Sequence, residues 1–154
     1  MAGQTIDVLL VEDNPGDARL VVEMLREDDA AEFRLTHVST LEAGVAHLAS
    51  GVPTDVVLLD LSLPDESGLQ TVRRVVASAG RAVVVVMTGA DDEQLGVSAT
   101  KEGAQDYLVK GEVKASRLRR VLRLSIERQG KLRQESQIDD LTELHNRRGF
   151  LALA

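Results

Sequence analysis

The 154-residue chain contains no cysteine, so neither a disulfide framework nor a thiolate metal site is available to it. Its N-terminus lacks the basic flank and long apolar stretch of a signal peptide. No apolar run approaches the roughly 20 residues of a membrane span. We therefore expect a cytoplasmic, bacterial-type protein with no membrane segment.

The length and charge of the chain limit its class further. With 44% hydrophobic and 28% charged residues, it can bury one core of ordinary size and a short appendage, but not a second complete domain. The net charge is −7, yet segment 114–133 holds eight basic residues and one acid, Glu127. The acidic remainder argues against nucleic-acid binding by the globular part. The basic segment is either the solvated face of a helix or a surface for an acidic partner.

Short β-prone runs alternate with stretches of helical spacing. The runs are Ile6–Val11, Phe33–Val38, Val56–Leu59, Ala82–Met87 and Asp106–Val109. A helical pattern follows each of them, and the last is a long helix that begins near Lys114. This fivefold β-α order predicts an α/β fold with a doubly wound five-stranded parallel sheet, right-handed crossovers and an extended C-terminal helix.

Capping and helix-breaking residues predict where the helices end. The first helix is expected to stop near Asp28, and Thr40 is expected to open the second, which ends at Gly51. The fourth helix is expected over residues 95–100. These boundaries leave the polar residues that follow the strands in turns or at helix starts.

Candidate site residues stand at the carboxyl ends of the first, third, fourth and fifth runs. Glu12 and Asp13 follow the first run, Asp60 ends the third, Thr88 follows the fourth and Lys110 the fifth. The carboxyl ends of parallel strands form the ligand-binding edge of an open α/β sheet, so these side chains are expected together there. Each also has a simpler interpretation, as a turn cap, a solvated acid, a turn residue or a surface lysine. Their coincidence at strand ends favours a common site.

The chemistry of this group of residues favours a cation and phosphate. Three adjacent carboxylates would raise each other's pKa unless a cation intervenes. Hard oxygen ligands without histidine or cysteine favour Mg²⁺. With the metal neutralising the site, Asp60 could attack a phosphoryl donor and become an aspartyl phosphate. Lys110 and Thr88 would then pair with the new phosphate oxygens.

Four sequence segments resemble the receiver domain of bacterial two-component response regulators. VLLVEDNPGDARLV resembles the acidic-pair strand and first helix of that family, and LLDLSLPDESGL its phosphoacceptor segment. VVMTG resembles the switch hydroxyl segment, and DYLVKG the switch aromatic and lysine. The resemblance covers about residues 5–125 and implies a flavodoxin-like strand order of 2-1-3-4-5. It also implies a sensor histidine kinase or phosphotransfer protein as the partner.

The resemblance assigns roles to individual residues around the metal. It makes Asp60 the phosphorylated residue and Asp13 a direct Mg²⁺ ligand. Glu12 would act beside Asp13 mainly through water, and the main-chain carbonyl of Ser62 would complete the share of the metal shell that the protein provides. The metal set implied by the family is therefore Glu12, Asp13, Asp60 and Ser62.

The resemblance also implies a switch. Lys110 would hold the phosphate while Thr88 moves toward it and Tyr107 turns inward. Without the resemblance, Tyr107 is simply an amphipathic residue at a sheet edge. The sequence departs from the family at Gly111, since the family commonly has proline after its lysine, with a cis peptide bond. A non-proline cis bond costs about 2.5 to 4 kcal/mol, so the sequence leaves the geometry of this loop open.

The last part of the chain resembles a second family. Eight positions fit D-x-L-T-x-L-x-N-R-R-x-F, the opening of the diguanylate cyclase (GGDEF) domain, although Glu143 stands where that family usually has glycine. We therefore expect a receiver domain at 1–125, a helical linker at 126–138 and a truncated start of a GGDEF domain at 139–154. The alternative for this tail is a frayed amphipathic segment.

Three functions follow from these patterns. The preferred one is a phosphoacceptor module that regulates an attached diguanylate cyclase and forms a weak or phosphorylation-dependent homodimer through the helix from Lys114. This 154-residue chain itself lacks the GGDEF signature and is not expected to make cyclic di-GMP. A stand-alone receiver that acts by binding a partner is the alternative. An aspartate-nucleophile phosphatase is disfavoured, because such an enzyme wants a second acid two residues after Asp60, where Ser62 lies.

Overall fold

Five parallel strands form one sheet in the order β2-β1-β3-β4-β5 in the computed structural model, which describes residues 5–26, 33–63 and 68–128. The strands are β1 (Ile6–Val11), β2 (Phe33–Val38), β3 (Val56–Asp60), β4 (Val83–Thr88) and β5 (Asp106–Val109). The chain order crosses from one side of β1 to the other after β2. This arrangement confirms the doubly wound sheet and the strand order of 2-1-3-4-5.

Five α-helices connect or follow these strands within the described ranges. They are α1 (Pro15–Arg26), α2 (Leu41–Ala49), α3 (Leu69–Ala79), α4 (Glu93–Lys101) and α5 (115–128). A short 3-10 helix, Ala90–Asp92, precedes α4. None of the helices in these ranges has the combination of length and apolar character needed to cross a bilayer.

The core lies on both faces of the sheet, because successive residues of each strand point to opposite sides. All five residues of β3 are buried. Val56 and Leu58 pack into the cluster that α1 and α5 cover, and Val57 and Leu59 pack into the cluster on the other face. Burial on both faces explains why β3 is a continuous apolar run rather than an alternating one.

The C-terminal helix begins at residue 115 and continues to residue 128, the last residue described. Its apolar positions Leu118, Val121 and Leu122 are buried against the sheet. Arg119 donates a hydrogen bond of 2.8 Å to the carbonyl of Met24, which ties α5 to the last turn of α1. Most of the predicted linker and all of the predicted GGDEF opening lie outside the described residues.

Some predicted boundaries differ from the structure. Helix α4 begins at Glu93, two residues before the predicted start at Leu95, because the 3-10 turn leads directly into it. The predicted stop of α1 near Asp28 lies outside the described residues, and α2 ends at Ala49, two residues before the predicted end at Gly51. The predicted cap of α2 is confirmed, since the Thr40 side chain accepts a hydrogen bond from the backbone N–H of Ala43 at 3.1 Å.

Candidate functional site

The carboxyl edge of the sheet gathers the predicted polar residues. Glu12 follows β1, Asp60 ends β3, Thr88 ends β4 and Lys110 follows β5, so all four lie at the same edge. As whole residues, Glu12, Asp60 and Thr88 are at most 2% exposed. Burying three polar side chains costs folding free energy unless each is hydrogen-bonded or paired with an opposite charge. The contacts of these side chains therefore determine how much their burial costs.

Three carboxylates form a compact acidic cluster at this edge. One carboxylate oxygen from each of Glu12, Asp13 and Asp60 lies within 4.8 Å of the other two. Glu12 and Asp60 are buried and Asp13 is exposed. The backbone fixes the two buried groups, since Asn14 N–H donates to Glu12 Oε2 at 3.2 Å and Ser62 N–H donates to Asp60 Oδ1 at 3.1 Å.

Lys110 supplies the positive charge of the site. Its ammonium lies 2.7 Å from Glu12 Oε1, 3.0 Å from Asp17 Oδ2 and 3.4 Å from Asp60 Oδ2. The backbone N–H of Lys110 donates a 2.7 Å hydrogen bond to the carbonyl of Thr88, which fixes the root of the side chain against β4. One ammonium is therefore shared among three carboxylates.

The electrostatics of the cluster follow from burial and like charge. Burial raises the pKa of Glu12 to about 7, and the adjacent Asp60 carboxylate acts in the same direction, while the Lys110 ammonium and the N–H of Asn14 oppose the rise. Burial alone would lower the pKa of Lys110, but contacts with Glu12, Asp17 and Asp60 outweigh it and raise the pKa. A second cation would reduce the electrostatic repulsion among the carboxylates of Glu12, Asp13 and Asp60.

The donor set fits Mg²⁺. Carboxylate oxygens are the hard ligands that Mg²⁺ prefers, and no histidine or cysteine belongs to this group among the described residues. The exposed Asp13 leaves room on the solvent side for the waters that Mg²⁺ retains. Ser62 lies beside the group through its N–H contact with Asp60. Its carbonyl as a further ligand stays a prediction.

Thr88 presents a buried hydroxyl with no hydrogen-bond partner among the described residues. It ends β4 one position after Met87, which pairs with Asp60 across the sheet. Leaving a buried hydroxyl unpaired costs about 1 to 3 kcal/mol, so the group is poised for an acceptor that arrives at this edge. A new anion on Asp60 is such an acceptor.

Tyr107 lies against α4. Its hydroxyl donates to Glu93 Oε2 at 3.1 Å. Its ring lies so close to Gly96 that a Cβ added there would be 2.6 Å from the ring carbon Cδ2. Gly96 therefore makes room for the ring, and Glu93 tethers the hydroxyl. The proposed inward turn of Tyr107 would have to break that hydrogen bond.

The loop after Lys110 contains no cis peptide bond, nor does any other part of the described chain. Gly111 has φ of 83°, a conformation that glycine adopts without the steric cost that other residues incur. Where the family commonly has proline with a cis peptide bond, this chain has Gly111 with a trans peptide bond and a positive φ. Lys110 still reaches the acidic cluster from this turn.

We expect Glu93→Gln to lower the pKa of the Tyr107 phenol toward its ordinary value. The hydrogen bond to Glu93 is the main cause of the raised pKa of Tyr107, because a neighbouring carboxylate favours the neutral phenol. Burial and the charge of Asp106 raise the pKa further. Tyr107 is the only tyrosine and the chain has no tryptophan, so an ultraviolet absorbance titration reports on it alone. The matched control is Asp91→Asn, which should leave the titration unchanged. A Glu93→Gln curve that overlays the wild-type curve would contradict the observed contact.

Three contacts escaped the sequence analysis. Asp17 was given no role in the site, but its carboxylate contacts the Lys110 ammonium. Glu93 and Gly96 had no assigned role, yet both contact Tyr107. The capping-box pattern would place the Asp17 carboxylate at the N–H of the cap residue rather than at Lys110. No sequence pattern pointed to the two residues of α4.

Comparisons with known proteins agree with this geometry. Residues 8–123 match the family model described as response regulator receiver domain. The KDP operon transcriptional regulatory protein KdpE of Escherichia coli is 34% identical over an alignment of 121 residues, and the match covers 76% of this chain and 51% of KdpE. The regulatory protein LuxO of Vibrio vulnificus is 32% identical over 114 residues, which is 74% of this chain and 24% of LuxO.

A solved structure gives the same result. The response regulator receiver domain protein from Clostridium thermocellum superposes with a TM-score of 0.71 at 26% identity, covering 82% of this chain and 98% of that one. The chain thus belongs to the response regulator receiver domain family of two-component signalling. Receiver domains of this family take phosphate from histidine kinases and typically bind Mg²⁺ at an acidic cluster. The chain spans about half or less of the length of the first curated relatives it matches.

Proposed function

We propose that Asp60 is the phosphoacceptor of this receiver and that Glu12, Asp13, Asp60 and the carbonyl of Ser62 hold Mg²⁺. The observation that carries the proposal is the position of Asp60. It is a buried carboxylate at the end of β3, with two further carboxylates within 4.8 Å and the Lys110 ammonium 3.4 Å away. The family match makes a phosphoryl group the expected substrate.

The reaction moves one phosphoryl group. A carboxylate oxygen of Asp60 attacks the phosphorus of a phosphohistidine, a P–O bond forms and the P–N bond breaks, and the imidazole leaves with the electron pair and takes up a proton. Bound Mg²⁺ would neutralise the charge on the carboxylates and phosphoryl oxygens. The Ser62 N–H holds Asp60 Oδ1 at 3.1 Å, so the nucleophile is already oriented.

The same residues supply a response to phosphorylation. A phosphoryl group adds oxygens that Lys110 and the unpaired hydroxyl of Thr88 bind. Movement of Thr88 toward the phosphate opens space behind it on β4, and Tyr107 of the adjacent β5 turns toward that space. The turn gives up the contact with Glu93 and changes the surface formed by α4, β5 and α5.

The proposal is tested by incubating the chain with a small phosphodonor and Mg²⁺ and measuring intact mass. One added phosphoryl group is expected with Mg²⁺, and none when a chelator removes the metal. The labelled and unlabelled forms should also differ in Tyr107 fluorescence. Undiminished labelling in chelator would contradict the role of the acidic cluster as a metal site.

We further propose that this receiver regulates a diguanylate cyclase. The support is the GGDEF-like pattern within residues 139–154, which lies outside the described residues. Cyclic di-GMP is built from two GTP molecules, so in the resembled family two output domains must meet. Helix α5 leads from the α4-β5-α5 surface toward that segment, and a weak, phosphorylation-dependent homodimer would control how often the domains pair. Typical coupling energies of about 1 to 3 kcal/mol change such a population about 5- to 150-fold.

The test of this second proposal begins with the coding sequence after Ala154, which should encode a complete GGDEF domain. In the longer protein, cyclase rate is then measured against protein concentration, with and without a phosphoryl mimic at Asp60. A shift of the curve to lower concentration supports control by pairing. An equal rise in cyclase rate at every concentration would mean that the receiver acts within each dimer. A coding sequence that stops at Ala154 favours the stand-alone receiver.

A further inference from the structure

The carboxylate of Asp17 contacts Lys110 from a different element than the other acids of the site. Glu12 and Asp60 lie at strand ends, whereas Asp17 lies in the first turn of α1. Its Oδ2 is 3.0 Å from the Lys110 ammonium, closer than Asp60 at 3.4 Å. The Asp17 side chain is 39% exposed, against 0% for Glu12 and 3% for Asp60. The ammonium therefore contacts two buried carboxylates and one that reaches solvent.

The local structure of α1 leaves this carboxylate available. Asn14 caps the helix, because its side-chain oxygen accepts from Asp17 N–H at 3.0 Å. In a capping box, the acid at the third helical position would reach back to the N–H of the cap residue. Here that N–H is donated to Glu12 Oε2 at 3.2 Å instead. With Glu12 occupying the N–H of Asn14, Asp17 turns to Lys110.

We propose that Asp17 is a positioning residue for phosphoryl transfer, which holds the Lys110 ammonium off the Asp60 carboxylate. The inference rests on the proposed function of Asp60. Without Asp17, only Glu12 and Asp60 compete for the ammonium, so Lys110 closes on Asp60 Oδ2. The attacking oxygen must then break a tighter ion pair before it can reach phosphorus. Asp17 thereby keeps the nucleophile available and the lysine close to the incoming phosphoryl oxygens.

The expected result is that Asp17→Asn slows labelling by a small phosphodonor about 3- to 10-fold at saturating Mg²⁺. Asparagine keeps the backbone N–H that Asn14 caps and removes only the charge. Asp17→Glu retains a carboxylate within reach of Lys110 and should restore the rate to within about twofold of the wild type. Glu42→Gln is the matched control, since Glu42 is also an acid in a first helical turn, that of α2, and forms an ion pair with Arg74 of α3 rather than with Lys110.

A double-mutant comparison distinguishes positioning from a general charge effect. In a Lys110→Met background, Asp17→Asn should have no further effect on the rate, because Asp17 acts through the lysine. An effect of Asp17→Asn that persists in that background overturns the proposal. If Lys110→Met takes up no label, the proposal is tested by Asp17→Glu in the otherwise wild-type chain. Labelling of Asp17→Glu as slow as that of Asp17→Asn overturns the proposal.

Two labelling results separate the role of Asp17 from that of Asp60. A wild-type chain that takes up no phosphoryl group at all contradicts the role of Asp60. A wild-type chain that is labelled on Asp60, together with an Asp17→Asn variant that is labelled as fast or faster, contradicts only the role of Asp17.

Discussion

Replacement of Asp60 by asparagine is expected to abolish phosphoryl uptake, which is the largest functional effect that we expect from a single substitution. The amide has nearly the shape of the carboxylate and can keep the hydrogen bond from Ser62 N–H. It lacks a nucleophilic oxygen, however, and removes one of the three carboxylates of the metal cluster. Intact mass after incubation with a phosphodonor and Mg²⁺ should therefore show no added phosphoryl group.

A matched control comes from the other end of the same strand. Asp55 immediately precedes β3 and accepts a hydrogen bond from Asp7 N–H at 2.8 Å. Asp55→Asn removes a carboxylate close to β3 but far from the site, so labelling should proceed at the wild-type rate. An Asp60→Asn chain that still gains one phosphoryl group would show that another residue is the acceptor.

Lys110→Met is expected to give the largest loss of stability among substitutions in the site. Removing the ammonium leaves Glu12, which is fully buried, and Asp60 without their cation. Breaking a buried ion pair by removing one partner costs up to 3 to 5 kcal/mol. Because Glu12 can take up a proton and Asp13 opens the cluster to solvent, we expect about 1 to 3 kcal/mol in urea unfolding at pH 8 with chelator present. Lys101→Met, at the exposed end of α4, should change the unfolding free energy by less than about 1 kcal/mol.

The pH dependence of this loss follows from Glu12. The pKa of Glu12 is raised from 4.5 to about 7 in the folded chain. Between pH 4.5 and about pH 7, Glu12 is therefore more protonated in the folded state than in the unfolded state. Stability contributed by this group therefore falls as pH rises from about 4.5 to 7. Lys110 opposes the rise in the pKa of Glu12, so the methionine variant should continue to lose stability above pH 7.

Mg²⁺ should reverse the effect of Lys110→Met in part, because it favours the ionised carboxylates and binds only the folded cluster. A variant as stable as the wild type at pH 8 in chelator would contradict the ion pairs. A variant equally destabilised at pH 5 and pH 8 would assign the loss to packing instead.

The sheet and the edge that carries the site were predictable from the sequence because both depend on local patterns. Apolar runs that are buried on both faces identify central strands, and the polar residue that ends each run must lie at the carboxyl edge of a parallel sheet. Asp60 and Thr88 were located in this way, and both are the last residues of their strands. The common edge needed no knowledge of distances between elements.

The contacts between elements were not predictable from such patterns. The ion pair between Asp17 and Lys110 joins residues 93 positions apart and depends on where the first turn of α1 lies relative to the loop after β5. The tether between Tyr107 and Glu93 likewise depends on the start of α4, which the sequence analysis put two residues too late. Hydrophobic periodicity fixes the face of a helix but not its axial position. The residues that orient a site are therefore harder to predict than those that form it.

Reduction of the labelled chain with borohydride shows whether the phosphoryl group resides on Asp60. Borohydride converts an aspartyl phosphate to homoserine and leaves a free carboxylate unchanged, so tandem mass spectrometry identifies the acceptor. We predict homoserine at position 60 only in chains treated with both the phosphodonor and Mg²⁺. Asp13 and Asp17 should remain aspartate in every sample. Homoserine at another position, or a labelled chain without homoserine, would contradict an aspartyl phosphate at position 60.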